Sequence, residues 1–153
     1  AGAPRQREPS GILDALVMEM PLIKFGPGEF VRTPTGKIVE GTNAGDLRKG
    51  PGHYPGTPLP GQRGTVAIAG HRTTYGAPFR KIDQVRPRDE IVVTMPYGKF
   101  TYRVERTRIV PPTETSVIDR VDHDRLVLSA CHPLYSAAKR IIVFARLETA
   151  EAR

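Results

Sequence analysis

The chain holds one cysteine, Cys131, and its neighbours decide what the thiol can do. It closes the run Leu126-Val127-Leu128-Ser129-Ala130, whose apolar character predicts a buried strand. Pro133 cannot donate to a central ladder, so strand gives way to loop just after the thiol. Nine residues on, Arg140 opens a second apolar run, Ile141-Ile142-Val143-Phe144. If these strands are neighbours, a thiol and a guanidinium share one end of a sheet. The thiolate is the nucleophilic form, and at a free pKa of about 8.5 only a few per cent is ionised at pH 7. A nearby positive charge shifts that balance. Arg140 also offers a planar fork of donors to a substrate backbone or to an oxyanion. The bland alternatives are an inert core cysteine and one more of 17 surface arginines.

A nucleophilic cysteine needs a histidine from elsewhere in the chain. His71 is the best candidate. It ends the apolar run Thr65-Val66-Ala67-Ile68-Ala69 and is followed by Arg72-Thr73-Thr74-Tyr75-Gly76, which reads as loop. His71 and Cys131 therefore occupy matching positions, each at the end of a predicted strand. There His71 can protonate a leaving amine and deprotonate an incoming one. Its rivals fit less well. His132 follows the cysteine directly, so in extended backbone it faces the opposite side, although its backbone N–H remains an oxyanion candidate. His53 lies in a Gly/Pro-rich loop and could still line a site, and His123 sits among Asp122, Asp124 and Arg125 as a solvent-facing residue. No Cys-x-x-Cys or His-x-x-x-His spacing supports zinc among them.

The elements that must carry these residues are mostly strands. Leu22-Ile23 and Phe30-Val31 flank the turn signal Gly26-Pro27-Gly28, and Lys37 to Glu40 is a short strand. Ile12 to Glu19 fits a short helix or a strand equally well. Thr42 to Gly50 reads as one helical turn capped by Thr42 or Asn43, and Ala77 to Val85 as another with Phe79, Ile82 and Val85 on one face. Glu90–Met95 and Lys99–Arg106 predict a hairpin turning at Pro96-Tyr97-Gly98. Pro112 to Asp124 is a long polar connection with Val117 and Ile118 pinned to the core. Ile141 to Leu147 is the last predicted strand. About eight strands and few helices predict an all-β fold, a closed barrel with short helices and long loops. Residues 1–11 read as a flexible tail, 12–149 as one catalytic domain and 150–153 as a C-terminal tail.

With 153 residues the chain can bury a core without disulfides, and a single cysteine excludes an internal one. The net charge is +7, but no run of five basic residues occurs and no nucleic-acid-binding motif is present. The charge reads as a solvated basic surface. No apolar stretch reaches the ~18 residues of a membrane span, and no signal peptide is visible.

Ala69-Gly70-His71-Arg72, the Leu-x-x-Cys-His-Pro run ending at Pro133 and the following Arg140 resemble the signatures of the sortase family, in its order. Gly50-Pro51-Gly52-His53-Tyr54-Pro55-Gly56-Thr57 is similar to an upstream family signature. The resemblance runs from Met18 to Leu147 and is most like class E sortases of actinobacteria. It implies a cysteine transpeptidase that cleaves a Leu-Ala-x-Thr-Gly or Leu-Pro-x-Thr-Gly sorting signal between Thr and Gly. The Thr is held as a thioester and passed to an amine of the cell-wall precursor. Cys131, His71 and Arg140 carry over as catalytic residues, with Tyr75, Thr73, Ser129 and His132 as substrate-groove candidates. The partners implied are surface proteins bearing the signal. The setting implied is the outer face of the plasma membrane, with an N-terminal anchor absent from these residues. No cofactor is implied: some sortases use calcium through acidic loop residues, but here Glu114, Asp119, Asp122 and Asp124 are interleaved with Arg120 and Arg125. Two departures stand out. The family's Thr-Leu-x-Thr-Cys reads Val127-Leu128-Ser129-Ala130-Cys131 here, and the segment Lys24 to Lys37 is long. The alternatives are a cysteine hydrolase with a similar site and a non-catalytic module that binds anionic wall polymer.

Overall fold

Alternating apolar residues and turn signals build one curled sheet. The structure is a computed structural model and describes residues 22–25, 29–32, 38–73 and 77–152. The strands are β1 (Leu22–Phe25), β2 (Glu29–Arg32), β3 (Val39–Glu40), β4 (Gly52–His53), β5 (Thr65–Ala69), β6 (Glu90–Met95), β7 (Gly98–Val110), β8 (Arg125–His132) and β9 (Lys139–Ala152). They order as β2-β1-β6-β7-β9-β8-β5-β4-β3, and β5–β8 and β3–β4 are the parallel pairs. Seven of the nine have four or more residues. Between them lie helix α1 (Ala44–Leu47) and single 3-10 turns at Ile82–Gln84 and Ser116–Ile118. Asn43 caps α1 reciprocally with Asp46, one of the two caps the sequence offers.

The expected closed barrel is not formed. Among the described residues β2 pairs only with β1 and β3 only with β4, so the sheet is a curled half-barrel. Closure fails on the β3–β4 side because both strands are two residues long and lead into the Gly/Pro-rich stretch 50–64, which supplies few ladder donors. The C-terminal tail expected at 150–153 is also revised. Residues 150–152 continue β9 opposite Phe100, Lys99 and Gly98. The expected segments at 1–11 and 12–19 lie outside the described residues.

The two faces of the sheet bury two clusters. Ile68, Leu126, Leu128, Ile141, Val143 and Tyr102 point into the larger core, joined by Phe79, Ile82 and Val85 from the 77–85 segment. Val127, Ile142 and Phe144 point the other way, against Val110 and Val117. β8 is thus apolar on both faces, which explains its unbroken run. At ~1.5–3 kcal/mol per buried aliphatic side chain, a one-residue slip of β8 would cost far more than any surface contact returns.

β7 changes face part-way along. Val104 pairs with Ala145 and Arg106 with Phe144, so Glu105 is the extra residue of a bulge. Beyond it the alternation flips. Val110 is buried in the smaller cluster rather than in the larger one that Phe100, Tyr102 and Val104 enter, while Ile109 is 49% accessible.

Tyr102 pins the larger core to the 50–64 loop. Its ring is fully buried and its hydroxyl accepts the Gly61 N–H at 2.9 Å. Gly61 has φ +87, and a Cβ there would meet the Phe100 ring at 2.2 Å, so the turn requires glycine. Burial pushes the Tyr102 phenol far above its ordinary value. Replacing Tyr102 by Phe leaves the Gly61 N–H unsatisfied, and urea denaturation should show a loss of about 1–3 kcal/mol with an unchanged m-value.

Candidate active site

Strand register decides which side chains meet. β5 and β8 pair with a constant offset, from Thr65 with Arg125 to Ala69 with Ser129. Gly70 N–H then donates to the Ser129 carbonyl at 3.0 Å, which extends the pairing past the strand end. Carried two residues beyond the last pair, the same offset sets His71 opposite Cys131. On the other side of β8, Cys131 pairs with Arg140 of β9. β9 in turn sets Arg140 opposite Val110 of β7. Cys131 and Arg140 are therefore a pair on adjacent strands on the face of the smaller cluster, and His71, two residues past the end of β5, follows the β5–β8 register toward them.

Each member has an identifiable support. Gly70 brings the backbone against Phe79, whose ring a Cβ would meet at 2.7 Å, and Phe79 N–H donates to the His71 carbonyl at 2.9 Å. His71 is half-buried, and burial holds its pKa below the ordinary 6.5, which favours the neutral ring. Cys131 is half-buried with a free thiol. Arg140 is half-buried, and its Nη1 donates to the carbonyls of Ala137 and Lys139 at 3.0 Å each. A guanidinium has five N–H donors, so these two bonds leave capacity for a substrate carbonyl or an oxyanion.

The 111–124 connection covers the same face. Val117 packs into the smaller cluster, and the buried Arg125 guanidinium donates to the carbonyls of Val117 (3.2 Å) and Asp119 (2.7 Å) and to the Thr65 hydroxyl (3.1 Å). Arg125 also lies 5.1 Å from the Phe144 ring centroid. A loop that reads as polar linker is thus anchored beside these residues by one guanidinium.

The remaining candidates divide. Ser129 shares the Cys131 face but is buried, 6% accessible. Thr73 is half-buried in the bend after His71, and Tyr75 lies outside the described residues. His132 faces away from the thiol, as alternation requires, and its Nδ1 lies 3.4 Å from Arg72 Nη1. Its N–H faces β9. Leu147 N–H donates to the Asp124 carbonyl, which makes the even-numbered β8 residues the hydrogen-bonded partners of β9. His53 is buried in a clamp, its Nδ1 2.7 Å from Glu40 and its Nε2 2.7 Å from the Pro58 carbonyl, so it holds the 50–58 loop. His123 is tied to Asp122 and Glu105. Among the described residues no three His, Cys, Asp or Glu converge as a metal site. Sequence reading passed over Arg72, which is 5% accessible and donates to the Cys131 carbonyl at 3.3 Å. Its only signal was a charged residue three positions past the end of an apolar strand, beside His71.

Known proteins resemble this chain in sequence and in fold. A family model described as the sortase domain matches residues 32–148. Sortase D of Bacillus subtilis is 36% identical over 116 residues, which cover 73% of this chain and 57% of that protein. The solved sortase E of Streptomyces avermitilis superposes with a TM-score of 0.73 at 32% identity, covering 88% of this chain and 92% of that one. The solved sortase A of Listeria monocytogenes gives 0.76 at 28% identity, covering 92% of each. The chain spans 31% to 57% of the lengths of the curated relatives it matches.

An NMR titration checks the electrostatics of the site. His71 should titrate below 6.5 in the folded protein and near 6.5 when unfolded. The folded state then binds fewer protons, so this group's contribution favours folding above pH 6.5 and is lost as pH falls through the window beneath it. A folded midpoint above 6.5 would mean that a partner carboxylate or thiolate outweighs burial.

Proposed function

Because the chain belongs to the sortase family, we propose that it is a cysteine transpeptidase in which Cys131 is the nucleophile, His71 the general acid and base, and Arg140 the substrate and oxyanion clamp. The single observation that carries this is the strand register: Cys131 pairs with Arg140, and the β5–β8 offset, carried past Ala69–Ser129, leads His71 toward the thiol. The Cys131 sulfur, as thiolate, attacks the carbonyl carbon of the scissile Thr–Gly bond. A C–S bond forms and the carbonyl π pair moves to oxygen, where Arg140 donors stabilise it. Collapse breaks the C–N bond, and His71, protonated by the proton it took from the Cys131 thiol, gives that proton to the departing glycine nitrogen. The thioester is then attacked by an amine whose proton His71 takes up, and the new amide releases the thiolate. Burial of His71, which favours the neutral ring, suits the second half, where the histidine must accept a proton.

For substrate class we propose the class E preference for Leu-Ala-x-Thr-Gly. The likeness to sortase E at 32% identity over 88% of the chain supports it. The relation to Bacillus subtilis sortase D, at 36% identity, makes the class D preference the competing reading. Partners in this proposal are surface proteins carrying the signal and the amine of a wall precursor. The domain acts on the outer face of the membrane, held by an N-terminal anchor. No helix among the described residues is long and apolar enough to cross a bilayer.

Mass spectrometry of peptides incubated with a glycine-based amine tests this. The protein should ligate Leu-Ala-x-Thr-Gly faster than Leu-Pro-x-Thr-Gly. Cys131→Ala should abolish ligation, and Arg140→Ala should lower kcat by about 100-fold or more, the scale of a lost oxyanion donor. Peptide cleavage with no ligation at any amine concentration would indicate a hydrolase. Turnover that survives Cys131→Ala would remove the nucleophile assignment.

A further inference from the structure

Four groups converge on one buried guanidinium beside the site. Arg72 Nη1 lies 3.3 Å from the Cys131 carbonyl oxygen and 3.4 Å from His132 Nδ1. Its Nη2 lies 3.4 Å from the Arg80 carbonyl oxygen and 3.1 Å from Asp83 Oδ1. The Arg72 side chain is 4% exposed and that of Asp83 47%. Burying a charge is costly unless its partners compensate closely. Of the described cations, Arg72 and Arg125 are the buried ones, and Arg125 anchors the 111–124 loop.

We propose that Arg72 is a positioning residue for the reaction: with Asp83 as its counter-ion, it locks the Cys131–His132 peptide and so fixes the thiol against His71. This rests on the nucleophile assignment above. The odd-numbered residues of β8 aim their backbone groups toward β5, but β5 ends at Ala69 and Pro133 stops the ladder beyond. The Cys131 carbonyl therefore emerges where regular pairing runs out. The Arg72 side chain takes it. Arg72 lies on the face opposite the thiol, as its contact with His132 shows, so it reaches the chemistry through the backbone without touching substrate. It is also the residue after His71. One dipeptide thus presents the proton donor on one face and grips the nucleophile's peptide from the other. A second link reinforces the first. Arg80 Nη2 donates to the Tyr135 hydroxyl at 3.2 Å, and its guanidinium lies 5.8 Å from that ring. Tyr135 belongs to the loop joining Cys131 to Arg140, so the 77–84 segment braces both sides of the thiol.

The test compares Arg72→Met, Arg72→Ala and Asp83→Asn with the parent protein. Alkylation of Cys131 by iodoacetamide reports on the thiol without any peptide, because it is the chain's one cysteine. Arg72→Met should slow alkylation about tenfold and lower kcat for peptide ligation about 100-fold, with KM within about twofold, because only the attacking geometry is lost. Asp83→Asn, at a half-exposed site, should keep the fold and move both rates in the same direction by less. Millimolar guanidinium should restore part of the activity of Arg72→Ala, which a merely structural role would not allow. The proposal is overturned if Asp83→Asn and the folded Arg72 variants alkylate at the parent rate. It is equally overturned if all loss follows the unfolded fraction and guanidinium rescues nothing. Should the parent ligate no peptide, the transpeptidase reading fails, while the alkylation rates still decide the role of Arg72.

Discussion

The parallel pairing of β5 with β8 aligns the two strand ends that lead to His71 and Cys131, sixty positions apart in the chain. Most of the sheet is antiparallel, and its pairs β1–β2, β6–β7 and β8–β9 are joined by short connections. β5 and β8 are instead separated by the whole β6–β7 hairpin and the 111–124 connection. The pairing therefore depends on burial rather than on a local turn. β8 is apolar on both faces, and each face meets its own cluster, so only one register satisfies both. A slip of one residue would put the thiol into the larger core and His132 in its place. The antiparallel β8–β9 pair sets Arg140 beside Cys131, and the β7 bulge turns Val110 toward the same face.

Chemistry at such a site needs a reactive thiol at the edge of an apolar sheet, half screened from water. The arrangement meets that need by ending β5 before β8. The last rungs lose backbone partners, and side chains take over. Gly70 lets the chain pass close to Phe79, and the Arg72 guanidinium satisfies the Cys131 carbonyl. On the opposite flank Arg125 stitches the covering loop to Thr65. Two buried guanidinium groups thus brace the site from its two faces, where side-chain donors replace regular pairing.

Much of this was legible locally. Cys131 before Pro133, His71 at a strand end and Arg140 at a strand start were marked by apolar runs breaking at polar residues, and the structure pairs Cys131 with Arg140 and ends β5 two residues before His71. The 90–110 hairpin, the Asn43 cap and the burial of Phe79, Ile82 and Val85 followed from turn chemistry and periodicity. What escaped depends on long-range pairing. Strand counting cannot tell a closed barrel from a half-barrel, because closure depends on edges meeting in space. The β7 bulge leaves no mark in residue type, so the change of face at Glu105 is invisible in the sequence. Residues 150–152 looked like tail because charge hid a strand that pairs with β7. Arg72 looked like surface, because a buried guanidinium is recognisable only by its partners.

The most direct measurement is the intact mass of the protein after mixing with a sorting-signal peptide in the absence of any amine acceptor. The expected result is a covalent adduct on Cys131 equal to the peptide through its Thr residue. It should be discharged by hydroxylamine and be absent in Cys131→Ala. Peptide cleavage by a fully competent protein with no adduct under rapid quench, or an adduct on any other residue, would contradict a Cys131 thioester and the residues assigned to form it.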